Sequence, residues 1–231
     1  MLLANTELLF DDPFAFFVLL VAVAASLTIG ITFHEFAHAY AANKQGDPTA
    51  ARLGRLTLNP LAHLDPTGSV MVLIAGFGWG RPVPVNPLML KDGRRGMAIV
   101  SFAGPFSNMV VALALTVLFQ TGLLTAGDFT RESLSSVDAL AWVTLIASFS
   151  VLLNLILATF NLLPIPPLDG GGILAGIVPE SMLPAVAKLQ RIGPVILIAV
   201  IASTFLTDLN ILRYLFSPVL DLADILVTSQ F

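Results

Sequence analysis

The sequence predicts an all-α polytopic membrane protein, with about four to six transmembrane helices. Its residues are 56% hydrophobic and only 11% charged, whereas an average soluble domain carries about 25% charged residues. Several stretches without a charged residue reach the roughly 20 residues that a helix needs to cross a bilayer. Composition and run length together favour one membrane domain over residues 1–231.

Four stretches are predicted to cross the membrane. The first covers about residues 14–40, the second 97–120 and the third 139–163, and a shorter fourth covers 192–207. Residues 211–227 are expected to form a tail helix at the membrane interface or a poor last span. Four residues interrupt that last apolar stretch: Arg213, Pro218, Asp221 and Asp224.

The loop after the first span contains two unusual segments. Residues 66–80 are uncharged and rich in glycine but short for a span, so they are predicted to be re-entrant. Residues 81–87, with the sequence RPVPVNP, alternate valine with proline. Because proline cannot serve a central ladder, this segment is predicted to be an edge strand in a small β element on the cytoplasmic side.

The basic residues predict the orientation. Under this topology nine of the eleven lysines and arginines fall on one side: Lys44, Arg52, Arg55, Arg81, Lys91, Arg94, Arg95, Lys188 and Arg191. The positive-inside rule makes that side cytoplasmic. The N-terminus is then extracytoplasmic, and the end of the first span opens toward the cytoplasm. No basic stretch precedes that span, so a cleaved signal peptide is not expected.

The end of the first span carries the pattern H-E-x-x-H at His34, Glu35 and His38. Positions i and i+4 of a helix share one face, so both imidazoles can bind one metal ion. Glu35 can reach a water on that metal and act as the general base. Ionisable groups at a membrane edge are costly, and a zinc site with hydrolytic chemistry would offset that cost.

Two histidines do not complete a catalytic zinc site, which usually has three protein ligands. Asp169 is the preferred third ligand, because it lies in the proline- and glycine-rich turn 164–172 on the same predicted side as His38. The alternative for Asp169 is a helix N-cap. His63 is the runner-up ligand or accessory residue, although a loop histidine bonded to backbone is the simpler interpretation.

Asn108 and Asn161 are polar residues within predicted spans. Hydrogen bonding between helices and binding of a substrate backbone are both open for them. The chain has no cysteine, which excludes thiolate ligands and disulfides. Its net charge of −4 argues against a nucleic-acid partner.

Three motifs, HEFAH, FAGPFSN and NLLPIPPLDGG, occur in an order that resembles the site-2 protease family of intramembrane zinc metalloproteases. The resemblance extends from about residue 32 to residue 172. The segments LGRLTLNPLAHLDPTGS and GWGRPVPVNP resemble the short prokaryotic members, which lack PDZ and CBS domains. The resemblance implies a multi-pass protein of the prokaryotic cell (inner) membrane.

The resemblance also implies roles for residues. Glu35 matches the catalytic glutamate, and Asn161 matches an asparagine that binds substrate backbone. The zinc ligands, for one Zn²⁺ per chain, are matched by His34, His38 and Asp169, and the family's G-P-x-x-N motif by Gly104, Pro105 and Asn108. The implied partners are the lipid bilayer and single-span or signal-peptide-like membrane proteins, cleaved in regulated intramembrane proteolysis.

A different class of function uses the same metal site without proteolysis, as in a metal carrier or sensor. Glu35 discriminates the two classes, because a carrier has no need of a carboxylate beside the first histidine. A transporter should also show paired discontinuous helices in two related halves. The sequence contains no such symmetry, so the peptidase is the favoured interpretation.

Overall fold

The computed structural model describes residues 10–75, 78–125, 139–206 and 211–228. Within these ranges the chain is mostly helical, as predicted. In chain order the helices are α1 (Pro13–Lys44), α2 (Thr49–Arg52), α3 (Pro66–Ala75), α4 (Arg94–Gln120), α5 (Ala139–Asn161), α6 (Asp169–Ile177), α7 (Leu183–Leu206) and α8 (Ile211–Thr228). Short 3-10 turns lie at Pro60–Ala62, Pro87–Met89 and Glu180–Met182.

Four helical segments of the described ranges are long and apolar enough to cross a membrane. They are α1, α4, α5 and the stretch Glu180–Ser203 that includes most of α7. The prediction of a mostly helical protein is therefore confirmed, with four candidate membrane-spanning helices in the described ranges.

The fourth span begins earlier than the predicted residue 192. Helix α7 starts at Leu183, so Lys188 and Arg191 lie inside the helix, where both are exposed. The prediction required an uncharged run, but long basic side chains can lie along an apolar helix and keep their charge at its polar end. Residue 207 falls outside the described residues.

Small residues let α1 approach its neighbours closely. The Ser26 hydroxyl donates to the Ile146 carbonyl of α5 across 3.0 Å. A Cβ added to Gly30 would lie 2.7 Å from Leu157 Cδ1. Helices in lipid associate through such close packing and polar contacts, because lipid tails are as apolar as leucine. The site described below lies where α1, α4 and α6 meet, with α5 beside them.

Large apolar side chains cover much of the outer surface of the long helices. The exposed ones include Phe14, Phe17, Val110, Leu113, Val117, Leu140, Val143, Val195 and Ile198. So many exposed large apolar side chains on long helices would be unusual on a soluble monomer. It suits a protein surrounded by lipid.

The two unusual segments after α1 differ from their predictions. Helix α3 has 10 residues and is about 15 Å long, which is too short to cross a bilayer. Its re-entrant course stays a prediction, and residues 76–77 lie outside the described residues. The predicted edge strand at 81–87 is instead an extended segment without a ladder, and the described ranges contain no strand beyond a single bridge between Leu64 and Gly80.

The physical reason lies in the hydrogen-bonding groups of that segment. Prolines 82, 84 and 87 have no N–H, and several remaining backbone groups of 81–86 bond to side chains of other elements. Arg55 donates to the carbonyl of Pro82 across 3.2 Å, and the N–H of Asn86 donates to Asp47 across 2.6 Å. Side chains thus replace a partner strand. We call residues 80–86 the extended segment.

Candidate active site

Two histidines of α1 and one aspartate of α6 meet between the helices. The Nε2 atoms of His34 and His38 lie 3.0 Å apart. Asp169 Oδ2 lies 3.1 Å from His34 Nε2 and 3.2 Å from His38 Nε2. Within the described ranges, these three residues form the group whose side chains could hold a metal ion. Both histidines are buried.

The outer nitrogen of each imidazole is bonded to a protein oxygen. His38 Nδ1 lies 2.7 Å from the Val100 carbonyl oxygen of α4. A carbonyl can only accept, so this Nδ1 carries the hydrogen and neutral His38 presents a lone pair at Nε2. His34 Nδ1 lies 2.7 Å from Asn108 Oδ1. The Nε2 of His34 therefore faces the same space as the Nε2 of His38. Both rings are therefore oriented as metal-binding imidazoles commonly are.

Asp169 is the first residue of α6 and is not its N-cap. Leu168 occupies the cap position, and no side chain caps that end. The carboxylate faces the histidines instead, and within the described residues its buried Oδ2 has no hydrogen-bond donor. The two Nε2 atoms and Asp169 Oδ2 each carry a lone pair and lie about 3 Å from one another. Such atoms repel one another unless a cation lies between them.

Glycines place α6, and with it Asp169, against α4. A Cβ added to Gly172 would lie 2.3 Å from Ser101 Oγ, and one added to Gly176 would lie 2.4 Å from Ala98 Cβ. Arg94 of α4 donates to the Ala175 carbonyl near the end of α6 across 3.1 Å. Contacts near the middle and the end of α6 thus fix this helix against α4, and Asp169, its first residue, is directed toward α1.

Glu35 lies one residue after His34, and its carboxylate contacts the extended segment. The backbone N–H of Val83 donates to Glu35 Oε2 across 3.0 Å. The neighbouring Gly80 is close as well, because a Cβ added there would lie 3.5 Å from Glu35 Oε1 and 2.7 Å from Ile31 Cγ2. A side chain at position 80 would therefore push the segment away from α1.

Buried polar groups hold the extended segment in that place. The N–H of Arg81 donates to the His63 carbonyl across 2.7 Å. The guanidinium of Arg55, itself buried, donates to the carbonyls of Arg81 and Pro82. The loop before α3 and the extended segment thus form one unit against Glu35.

Comparison with known proteins decides the family. Residues 22–203 match peptidase family M50. The chain belongs to this family. It is 38% identical over 202 residues to the protein named "Putative zinc metalloprotease YwhC" of Bacillus subtilis (strain 168), covering 85% of this chain and 84% of that relative. It is 33% identical over 193 residues to "Putative zinc metalloprotease Rip2" of Mycobacterium tuberculosis (strain ATCC 25618 / H37Rv), covering 81% of this chain and 69% of the relative. No solved structure matches the chain.

The M50 chain is therefore a zinc metallopeptidase of the site-2 protease type, as its three motifs predict. The donor set His34, His38 and Asp169 fits the metal that the family implies. Two imidazole nitrogens and one carboxylate oxygen leave a fourth position open in the tetrahedral arrangement typical of catalytic zinc. The carboxylate oxygen that lacks a donor within the described residues is the observation that favours a cation there.

His63 does not join this group. It is fully buried in the loop before α3, and its Nε2 lies 2.7 Å from the Thr57 carbonyl oxygen. Its own carbonyl accepts from Arg81. The contacts therefore favour the interpretation of His63 as a loop histidine bonded to backbone. Through its carbonyl, His63 also helps to hold the extended segment in position.

The two asparagines singled out in the sequence occupy different settings. Asn161 ends α5, is half-buried, and its Nδ2 donates to the Leu157 carbonyl one turn earlier across 2.9 Å. Asn108 is fully buried, and its amide bonds to His34, to the Gly30 carbonyl and to Asn154. Of the two interpretations left open for Asn108, hydrogen bonding between helices is the one that these contacts favour.

Two further residues of the M50 chain belong to the site. Sequence reasoning missed Asn154, although it lies two helical turns before Asn161 in an apolar span, and that spacing could have indicated it. Gly104 was noted as part of a motif without a role. A Cβ at Gly104 would lie 2.4 Å from His38 Nε2 and 2.7 Å from His34 Cε1. Only a glycine leaves room there for both imidazoles.

Proposed function

We propose that this M50 peptidase is an intramembrane endopeptidase that hydrolyses peptide bonds of membrane-embedded substrates. One observation carries the proposal. The converging side chains His34, His38 and Asp169 include two from α1, a helix of 32 residues that is long and apolar enough to cross a membrane. A metal site built on such a helix suits substrates that are themselves within the bilayer.

We assign one zinc ion per chain to His34, His38 and Asp169. Bound zinc supplies a Lewis acid that polarises a peptide carbonyl and makes a water more acidic. Glu35 acts as general base and takes a proton from the attacking water at a carboxylate oxygen. It then delivers that proton to the leaving amine nitrogen. The Val83 N–H holds the other carboxylate oxygen, so the orientation of the base depends on the extended segment.

The extended segment is the proposed substrate-binding edge. A helical substrate has its carbonyls bonded internally, so it must unwind before its peptide bond can be attacked. Extended pairing with residues 81–86 would hold it open, as in β-strand addition. The Val83 N–H donates to Glu35. Within the described residues, the N–H of Val85 and the carbonyls of Val83 and Val85 have no hydrogen-bond partner, so they are the groups proposed to pair with substrate. Asn161, at the half-buried end of α5, is a second proposed contact to substrate backbone.

The proposed orientation follows the basic residues. The end of α1 and the start of α4 lie together, because the Lys91 N–H donates to the Gln45 carbonyl across 2.9 Å. Lys44, Arg94 and Arg95 lie at this end, and the positive-inside rule makes it cytoplasmic. The site would open toward the cytoplasm, with the N-terminus outside. The proposed substrates are single-span or signal-peptide-like proteins of a prokaryotic (inner) membrane, cleaved in regulated intramembrane proteolysis.

The test reconstitutes the purified protein in liposomes with a tagged single-span reporter that has a signal-peptide-like segment. The wild type is expected to cut within the apolar segment, and Glu35→Gln is expected to lose cleavage at least 1,000-fold (about 4 kcal/mol of activation free energy) while zinc stays bound. A Glu7→Gln variant, which changes an acidic residue before the first span, is the matched control. Normal cleavage by Glu35→Gln would refute the base assignment. Cleavage only of a soluble copy of the segment would refute intramembrane action.

A further inference from the structure

We propose that Asn108 and Asn154 form a relay that fixes the orientation and tautomer of His34, which makes both asparagines positioning residues for the metal. The inference rests on the metal role proposed above for His34. It adds that Asn154, whose hydrogen bonds within the described residues go to Asn108 and Ser150 and not to a metal ligand, controls how well His34 binds the metal.

The direction of each hydrogen bond in the relay follows from the bond farthest from His34, which joins Asn154 to Ser150. The Ser150 carbonyl can only accept, and it lies 2.8 Å from Asn154 Nδ2. This contact fixes the amide of Asn154 with its Oδ1 turned toward α4. Asn154 Oδ1 in turn accepts from Asn108 Nδ2 across 2.8 Å.

The same logic continues to the histidine. Asn108 Nδ2 also donates to the Gly30 carbonyl across 3.0 Å, so both of its hydrogens are directed at acceptors. Asn108 Oδ1 therefore faces His34 Nδ1 at 2.7 Å and must accept from it. A hydrogen on Nδ1 leaves the lone pair of the neutral ring at Nε2, where the metal would bind.

Burial prevents the Asn108 amide from adopting the reversed orientation. Asn108 and Asn154 are both 0% exposed, so water cannot replace a lost partner at either amide. If Asn108 rotated by half a turn, its NH₂ group would face Nδ1, and its oxygen would face the Gly30 carbonyl and Asn154 Oδ1. An unpaired buried polar group costs about 1–3 kcal/mol, so two such mismatches exclude the rotated form while Asn154 keeps its place.

His38 shows why His34 needs this second amide. The Nδ1 of His38 bonds to a main-chain carbonyl, that of Val100, which the helix itself holds in place. The Nδ1 of His34 bonds to a side-chain amide, which can turn about its last bond. Asn154 removes that freedom. The relay thus connects three helices, since His34 lies on α1, Asn108 on α4, and Asn154 on α5.

The first experiment compares Asn108→Leu with Asn108→Asp. Zinc affinity of the purified full chain in detergent is measured by competition with a chelator at fixed pH. Loss of the partner of a metal-binding histidine typically lowers metal affinity 10- to 100-fold, and that loss is expected for Asn108→Leu. Asn108→Asp keeps an acceptor for His34, so it is expected to bind zinc at least tenfold more tightly than Asn108→Leu. Thr116→Val, which removes a buried hydroxyl from the same helix, is the control.

A purely structural role for Asn108 predicts the opposite order. A carboxylate at position 108 would put an oxygen against the Gly30 carbonyl and Asn154 Oδ1 and would be costlier to bury than leucine, so Asn108→Asp would then be the weaker binder. Thermal unfolding of the metal-free proteins separates the two effects. We expect Asn108→Asp to unfold at a lower temperature than the wild type while it retains metal affinity.

The second experiment tests Asn154, the asparagine of the relay that is farther from His34. Asn154→Leu is expected to lower zinc affinity 3- to 30-fold, less than Asn108→Leu, because Asn108 keeps its contact with Gly30. The visible absorption spectrum of the Co²⁺-loaded protein should change as well, since it reports the ligand field of the metal. Thr144→Val, which alters another buried hydroxyl of α5, should leave both measurements unchanged.

Each outcome decides the proposal. Wild-type zinc affinity and Co²⁺ spectrum in Asn154→Leu would overturn the relay and leave the proposed function intact. A wild type that binds no zinc would overturn both. Should the leucine variants fail to fold, ¹⁵N NMR of histidine in the metal-free wild type still decides, at a pH where the imidazoles are neutral. The relay requires the Nδ1–H tautomer for His34, and an Nε2–H tautomer there would refute it.

Discussion

The Val83 N–H and the Glu35 carboxylate are joined by a 3.0 Å hydrogen bond. The glutamate belongs to the helix that carries both histidines, and the valine belongs to an extended segment far along the chain. Hydrogen bonds to charged groups contribute about 1.5–3 kcal/mol. This contact therefore couples the position of the proposed base to the segment proposed to bind substrate.

Val83→Pro should remove that hydrogen bond while the side chains of the metal group are unchanged. We expect cleavage of the liposome reporter to fall about 10- to 100-fold, which corresponds to the loss of 1.5–3 kcal/mol. The fall should appear in kcat, with bound zinc unchanged. Val83→Ala keeps the N–H and should retain most of the activity. Equal losses in both variants would show that the valine side chain matters and the hydrogen bond does not.

Gly104→Ala should expel the metal. The added methyl group would lie 2.4 Å from His38 Nε2 and 2.7 Å from His34 Cε1, so the imidazoles could not keep their places. Alanine in a helix interior is otherwise about 1 kcal/mol more favourable than glycine, so helix weakening cannot explain a loss. Zinc content by mass spectrometry should fall well below that of Val110→Ala, which shortens an exposed side chain of the same helix. Full zinc occupancy in Gly104→Ala would contradict the arrangement.

Asp169→Asn should weaken zinc binding, and His63→Gln should not. The Asp169 carboxylate oxygen lies 3.1 and 3.2 Å from the two Nε2 atoms, whereas His63 bonds to the Thr57 carbonyl. An amide is a much poorer zinc ligand than a carboxylate, so we expect at least a tenfold loss of affinity. Chelator competition on both variants provides the measurement. The reverse result would make His63 the third ligand.

Acid should loosen the end of the extended segment through Asp47. Its carboxylate accepts from Thr49 N–H across 3.0 Å and from Asn86 N–H across 2.6 Å. Burial raises the pKa of Asp47, but the hydrogen bonds from Thr49 and Asn86 outweigh it, so the pKa lies below its usual 3.8. The stabilisation is fully present above the unfolded pKa of about 3.9 and is lost as pH falls through the lower folded pKa.

Asp47→Asn is the matching variant. It should unfold at a lower temperature than the wild type at neutral pH, and the difference should shrink as the pH falls below about 4. Thermal unfolding in detergent across that pH range provides the measurement. A difference that stays constant with pH would show that the Asp47 charge does not contribute.

Much of the architecture is predictable because it depends on local patterns. Uncharged runs long enough to cross a bilayer indicate helices wherever they occur, and α1, α4 and α5 follow them closely. The pairing of His34 with His38 follows from helical periodicity alone. The fourth span was predicted to start at residue 192, whereas α7 starts at Leu183, because two basic residues lie inside that helix.

The sequence alone determined the apolar helices, the H-E-x-x-H face and the family motifs, since each is a property of neighbouring residues. The sequence favoured Asp169 over His63 as the third ligand, and the tertiary structure places Asp169 beside the histidines. Tertiary structure alone revealed that Asn154 supports Asn108 and that Val83 reaches Glu35. Those contacts join residues far apart in the chain. Their geometry depends on how closely glycines such as Gly104 and Gly172 let the helices approach, and no local pattern encodes that distance.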